Sequence, residues 1–121
     1  MINHVFVYGT LQPGQPRWPA LARFTPEPNA TRAASVPGQL FDTGYGWPAA
    51  VFEDASSDHV TGVVVHLDPE SVDEALLTLD AIEGVASGLF QRVIVTAGGH
   101  PCSAYHWPGP TEGFHRIPGW C

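Results

Sequence analysis

The sequence predicts an α+β domain: a small mixed, largely antiparallel β-barrel with one main helix and short flanking helical turns. Three observations carry that expectation. About six short apolar, β-branched or aromatic runs are separated by Gly/Pro-rich turns. A single stretch, Ser71–Gly84, has helical periodicity. The strands are too short for an open sheet with protected edges, so curling the sheet is the economical way to limit them. A chain of 121 residues with 44% apolar content suits one domain, 1–121, around a single core.

The elements follow in order. "HVFVY" (His4–Tyr8) is a continuous apolar run, as expected of a strand buried on both sides. "GTLQPGQPRWP" then breaks it with two glycines and three prolines, and a short helical turn is possible over Trp18–Phe24. "SVPGQLF" (Ser35–Phe41) and "AAVFE" (Ala49–Glu53) are strands flanking the turn-rich "DTGYGWP". "HVTGVVVHL" (His59–Leu67) is the strongest strand, with Gly62 marking a bulge or a close backbone approach. "FQRVIVTA" (Phe90–Ala97) and "HPCSAYHW" (His100–Trp107) form a hairpin through Gly98-Gly99. The tail "PGPTEGFHRIPGWC" is irregular, but Phe114, Ile117 and Trp120 predict that it packs back on the body.

The helix contains an anomaly. Ser71 and Glu74 form a capping-box pattern, and Gly84 supplies a left-handed stop. At about 100° per residue, Val72, Leu76, Leu79 and Glu83 share one arc of roughly 60°, whereas Asp73 and Glu74 point away. Glu83 therefore sits within the stripe that seeks the core. Either it lines an internal site, or it reaches back to water or pairs with Arg92.

The net charge of −7, with five Lys plus Arg, argues against nucleic acid and anionic membranes as partners. No apolar run has the length to span a bilayer, and the start "MINHVFVYGT" has no basic region before an apolar one, so cytoplasm is the expected location. Cys102 and Cys121 are too few for a disulfide scaffold, and Cys102 is expected to be a buried thiol. The six histidines show no zinc-site spacing, so neither metal nor cofactor is expected. His4, His66 and His106 read as strand residues.

Two stretches carry a resemblance. "VFVYGTLQPG" and "LDAIEGVASGLFQRVIV" together resemble the γ-glutamylcyclotransferase family, which includes the butirosin-pathway cyclotransferases. In that family a Tyr-Gly-Ser/Thr-Leu loop follows the first strand, and an LD-x-x-E-G helix end precedes an aromatic-x-Arg strand. The intervening "GQLFDTGYGWPAAVF" and "VTGVVVHL" resemble its middle strands. The short length is closer to the γ-glutamylamine branch. The resemblance implies a small mixed barrel with flanking helices and a cofactor-free enzyme that cyclises a γ-glutamyl group to 5-oxoproline, releasing an amine or amino acid.

By that resemblance Glu83 is the catalytic carboxylate. Tyr8, Gly9, Thr10 and Leu11 form the substrate-cradling loop, and Tyr105 lines the pocket or simply packs. The chemistry suits one carboxylate: the substrate's α-amine loses a proton to attack, and the leaving amine gains one. With so few basic residues, backbone N–H groups of a Gly-containing turn are the natural donors to the oxyanion and α-carboxylate. "YGTL" could also be only a turn in which Gly9 takes a positive φ. Asp42 and Trp47 either shape the substrate mouth or belong to an ordinary turn. Phe90 stands where relatives often carry Tyr, and "RIPGWC" lacks the Asp of the usual ending. The expected partner is a small γ-glutamyl substrate, and the expected state a monomer or weak homodimer. A non-catalytic metabolite-binding barrel and an amide hydrolase releasing glutamate are the alternatives.

Overall fold

A computed structural model describes residues 2–120. The elements are β1 (His4–Val7), α1 (Trp18–Ala22), β2 (Arg32–Asp42), β3 (Pro48–Phe52), β4 (His59–His66), α2 (Val72–Ile82), β5 (Gln91–Ala97), β6 (His100–His106) and β7 (His115–Arg116). The strand order is β3-β2-β4-β1-β6-β5, with β7 added to β2. Every pairing is antiparallel except β1 with β6.

β1 is central, and its alternation separates two cores, as expected for a strand covered on both faces. Val5 and Val7 join the helices through Leu21, Val72, Ala75 and Leu79, while Phe6 and Tyr8 face Val36, Leu40, Val60 and Cys102 inside the curl. The curl arises in β2, which pairs β4 through Arg32–Pro37 and then β3 through Gly38–Asp42. The far end of β3 meets β6: the Trp107 N–H donates to the Ala50 carbonyl at 2.8 Å, and the Phe52 N–H to His106 Nδ1 at 3.1 Å. The result is a curled half-barrel, not a closed one. β5 keeps an outer edge, where Ile94 is 58% exposed.

The helix runs as its periodicity predicts, with Val72, Ala75 and Leu79 buried and Asp73 and Glu74 exposed. Its start differs from the capping box. Ser71 makes no side-chain cap and closes a 3₁₀ turn, Pro69–Ser71, whose first N–H is held by Asp68: Glu70 N–H donates to its carboxylate at 3.1 Å. Ser71 sits at φ −111° and ψ 5°, outside the extended region that a capping residue takes, and its hydroxyl makes no bond to the N-terminal amides. At the other end the Glu83 N–H donates to the Leu79 carbonyl at 2.9 Å, and Gly84 at φ +67° turns the chain away.

Gly62 has the expected close approach, since a Cβ there would collide with the Val7 carbonyl and the Phe6 ring. The tail packs back through Phe114, Ile117 and Trp120 and contributes β7, which the sequence reads as irregular. Cys102 is buried; Cys121 lies outside the described residues. Among the described residues no helix is long and apolar enough to cross a membrane, and no cluster of three or more His, Cys, Asp or Glu is arranged to hold a metal.

Candidate active site

A cleft of about 550 Å³, its open mouth included, lies where the C-terminal end of β1 meets the C-terminal end of α2. Its wall contains all six residues singled out from the sequence. Tyr8, Gly9, Thr10 and Leu11 come from the loop after β1, Glu83 from the end of α2, and Tyr105 from β6. Residues 8 and 83 are far apart in the chain. They meet because β1 and α2 pack through Val5, Val7, Ala75 and Leu79 in one core cluster.

The loop is ordered by its own carbonyls. Gln12 N–H donates to the Gly9 carbonyl at 3.1 Å and Arg17 N–H to the Thr10 carbonyl at 2.9 Å. The Gln12 side-chain amide lies 3.3 Å from both the Gly9 and Trp120 carbonyls, tying the tail to the loop. The N–H groups of Gly9, Thr10 and Leu11 donate to no protein acceptor among the described residues. Consecutive N–H groups without a protein acceptor are the kind of donors that can hold an anion. The positive φ that the turn-only alternative gave Gly9 is absent. Glycine is required there by proximity, since a Cβ would lie 2.6 Å from Pro48 Cγ and 2.9 Å from its Cδ.

Glu83 is half-buried, and its carboxyl is raised to about 7 by loss of solvation, with Arg17 opposing the rise. The pairing with Arg92 is not formed. Arg92 Nε lies 3.6 Å from Asp80 Oδ1, and the other ion pair among the described residues joins Arg116 to Asp58. Asp80, one turn before Glu83, takes the cation because the Tyr105 hydroxyl also donates to Oδ1 at 2.8 Å, fixing that carboxylate. Burial and the Asp80 carboxylate both push the Tyr105 phenol far above its ordinary range. Tyr8 donates its hydroxyl to the Tyr105 carbonyl at 2.7 Å. Burial, then the Glu83 charge, pushes its phenol up, against a backbone hydrogen bond from Ala50.

Both tyrosines thus line the cleft with hydroxyls already engaged as donors. Tyr105→Phe is accordingly expected to lower stability by about 1.5–3 kcal/mol, the range for a hydrogen bond to a charged group, and to change kcat less than about tenfold. Denaturant unfolding and turnover of the same preparation check this. A hundredfold loss of kcat in a stable variant would mean that the hydroxyl takes part in the reaction.

Several wall residues escape the sequence reading. Arg17 lies in the turn-rich segment before α1 and Pro48 at the very start of β3, where no periodicity marks them. Asp80, behind the wall, supports Tyr105; it reads as an ordinary polar helix residue, and its partners are 12 and 25 positions away. Of the two loop residues weighed for the mouth, Trp47 lines it and Asp42 does not. Asp42 accepts from the Gly44 N–H at 2.8 Å in a tight turn. Phe90 also lines the cleft, packing edge-on against Trp47 with ring centroids 5.7 Å apart.

Comparison with solved structures gives the same architecture. An AIG2-like protein from Mus musculus superposes with a TM-score of 0.74 at 19% identity, covering 99% of this chain and 88% of that one. An uncharacterised Pyrococcus horikoshii protein gives 0.63 at 21% identity over 96% and 86%. A structure described as a gamma-glutamyl cyclotransferase gives 0.54 at 16% identity over 94% and 69%. At these identities the likeness establishes the fold alone. No curated protein matches the sequence. The family model described as gamma-glutamyl cyclotransferase, AIG2-like, matches residues 5–120, so the chain belongs to the AIG2-like gamma-glutamyl cyclotransferase family.

Proposed function

We propose that the protein cyclises the γ-glutamyl group of a γ-glutamyl amide to 5-oxoproline and releases the amine or amino acid. One observation carries the reading: a half-buried carboxylate, raised to about 7, shares a cleft with three consecutive unclaimed backbone N–H groups. Family membership supports a cyclotransferase.

In this reading the loop from Tyr8 to Leu11 receives the glutamyl group, its N–H groups donating to the α-carboxylate and to the developing oxyanion. Glu83 takes a proton from the substrate's α-ammonium. The freed nitrogen attacks the γ-carbonyl carbon, forming the ring C–N bond. The tetrahedral intermediate then collapses: Glu83 returns its proton to the leaving nitrogen, the amide C–N bond breaks, and the second proton of the ring nitrogen passes through the same carboxylate to the released amine, which departs as its ammonium ion. The atoms balance without water or a redox partner. A carboxyl poised near 7 suits both transfers, because neither of its protonation states is strongly disfavoured at neutral pH. The intramolecular nucleophile leaves the protein mainly the task of holding a ring-closing pose.

The test is a panel of γ-glutamyl amides with mass-spectrometric detection of 5-oxoproline, each assayed free and N-acetylated. Free substrates should yield 5-oxoproline, and acetylation should abolish turnover. Release of glutamate from the free form and of N-acetylglutamate from the acetylated one would establish hydrolysis by water instead.

A further inference from the structure

The leaving-group side of the cleft has a chemistry of its own. The sequence holds five Lys plus Arg. Arg116 pairs Asp58 at 2.7 Å and Arg92 pairs Asp80 at 3.6 Å. Arg23 lies over the Phe24 ring at 4.4 Å, and Arg32 lines a different depression, beside His4 and His100. Arg17 remains. It is exposed in the cleft wall, and among the described residues its guanidinium makes one hydrogen bond, to the Ile82 carbonyl at 3.3 Å. No carboxylate among the described residues lies at ion-pair distance from it. A guanidinium has five N–H donors, so most of this one is uncommitted.

Its anchor fixes its place. Ile82 directly precedes Glu83, the acid that returns a proton to the leaving nitrogen in the proposed reaction. A carboxylate on the carbon bearing that nitrogen is two bonds away and comes within the same neighbourhood. The glutamyl end is served by the loop amides and must be enclosed to cyclise, which leaves the exposed guanidinium to the part of the substrate at the mouth. In a protein of net charge −7, an anionic leaving group also needs a local cation to offset repulsion. Part of the same cleft wall is apolar. Trp47 and Phe90 line it, Tyr45 stacks on Trp47 with centroids 5.9 Å apart while 73% exposed, and Leu89 is 40% exposed.

We propose that Arg17 is a specificity-determining residue, and that the preferred leaving group is an α-amino acid with a large apolar side chain. Its carboxylate pairs with Arg17, and its side chain rests on Trp47 and Leu89. This rests on the cyclotransferase reading and narrows its substrate class.

Three amides separate the contributions: γ-glutamyl-L-phenylalanine, γ-glutamyl-phenethylamide, which lacks only the carboxylate, and γ-glutamyl-glycine, which lacks the side chain. The wild type should turn over the phenylalanine amide with kcat/KM about tenfold or more above each of the others. Arg17→Ala should bring the phenylalanine-to-phenethylamide ratio close to one, and Arg17→Lys should retain part of it. Because Arg17 also acts on the Glu83 carboxyl, the ratio is taken at the pH plateau of each variant, where a shared change cancels. A ratio that survives Arg17→Ala, or a wild type that does not discriminate, overturns the inference and leaves the parent reading intact. If none of the three gives 5-oxoproline, the inference falls, and the wider panel of amides decides the parent reading.

Discussion

Glu83→Gln is expected to lower kcat by about 10²-fold or more, the scale of a general base, in a protein that still folds. The isostere keeps shape and removes the proton acceptor. The pH profile supplies the sharper evidence. With its carboxyl raised to about 7, the wild type should gain activity as pH rises through that value, and the residual activity of the variant should not follow that rise. Stability moves in the opposite direction. The folded state favours protonated Glu83 relative to an ordinary value of 4.5, so the charge progressively destabilises the fold as pH climbs from 4.5 to about 7, and the penalty then levels off. Glu83→Gln removes that penalty. Its Tm should exceed that of the wild type at pH 7 and above, and the difference should vanish near pH 4. Near-normal turnover in the variant would end the catalytic assignment. A variant destabilised at every pH would mean that the carboxylate holds the structure together.

What could be read ahead of the structure depended on how local the signal was. The inward aim of Glu83 follows from four positions on one helix, and the loop after β1 follows from a strand broken by Gly9. Neither needs a distant partner. Asp80 shows the opposite case. On the helix it is one polar residue among several, and its meaning comes from Tyr105 and Arg92 on the β5–β6 hairpin, which no periodicity connects to it. The alternative in which Glu83 pairs with Arg92 failed for that reason: the strand register places Arg92 opposite Tyr105, and both then engage Asp80. The helix start went wrong locally. "DPES" offers two competing caps, Asp68 and Ser71, and proline at 69 favours the earlier one by suiting the first position of a helical turn. β7 is two residues long and exists because Phe41 and Asp42 offer it an edge. Arg17 lies among prolines and glycines, where pattern carries no information about which way the chain folds.

Gly9→Ala tests whether the cradle is built by fit or by backbone flexibility. Gly9 has no positive φ, so alanine is not strained by its backbone angles. Its methyl group would instead meet Pro48 Cγ at 2.6 Å. A proline ring cannot swing aside as a long side chain can, and Pro48 opens β3 opposite Asp42. The loop must therefore shift. Overpacking of this kind is expected to destabilise by about 1–3 kcal/mol. A displacement near 1 Å in the residues that hold a substrate can lower turnover by about 10²-fold, so kcat/KM should fall at least tenfold. Pro48→Ala removes the colliding ring atoms. The double variant Gly9→Ala/Pro48→Ala should therefore be more stable and more active than the two single effects combined predict. Equilibrium unfolding and kcat/KM on all four proteins give the coupling directly. Additive effects would mean that the ring is not what excludes a side chain at position 9. A stable, fully active Gly9→Ala would show that the cleft tolerates movement of the loop, and the unclaimed N–H groups could then not depend on their present placement to hold an anion.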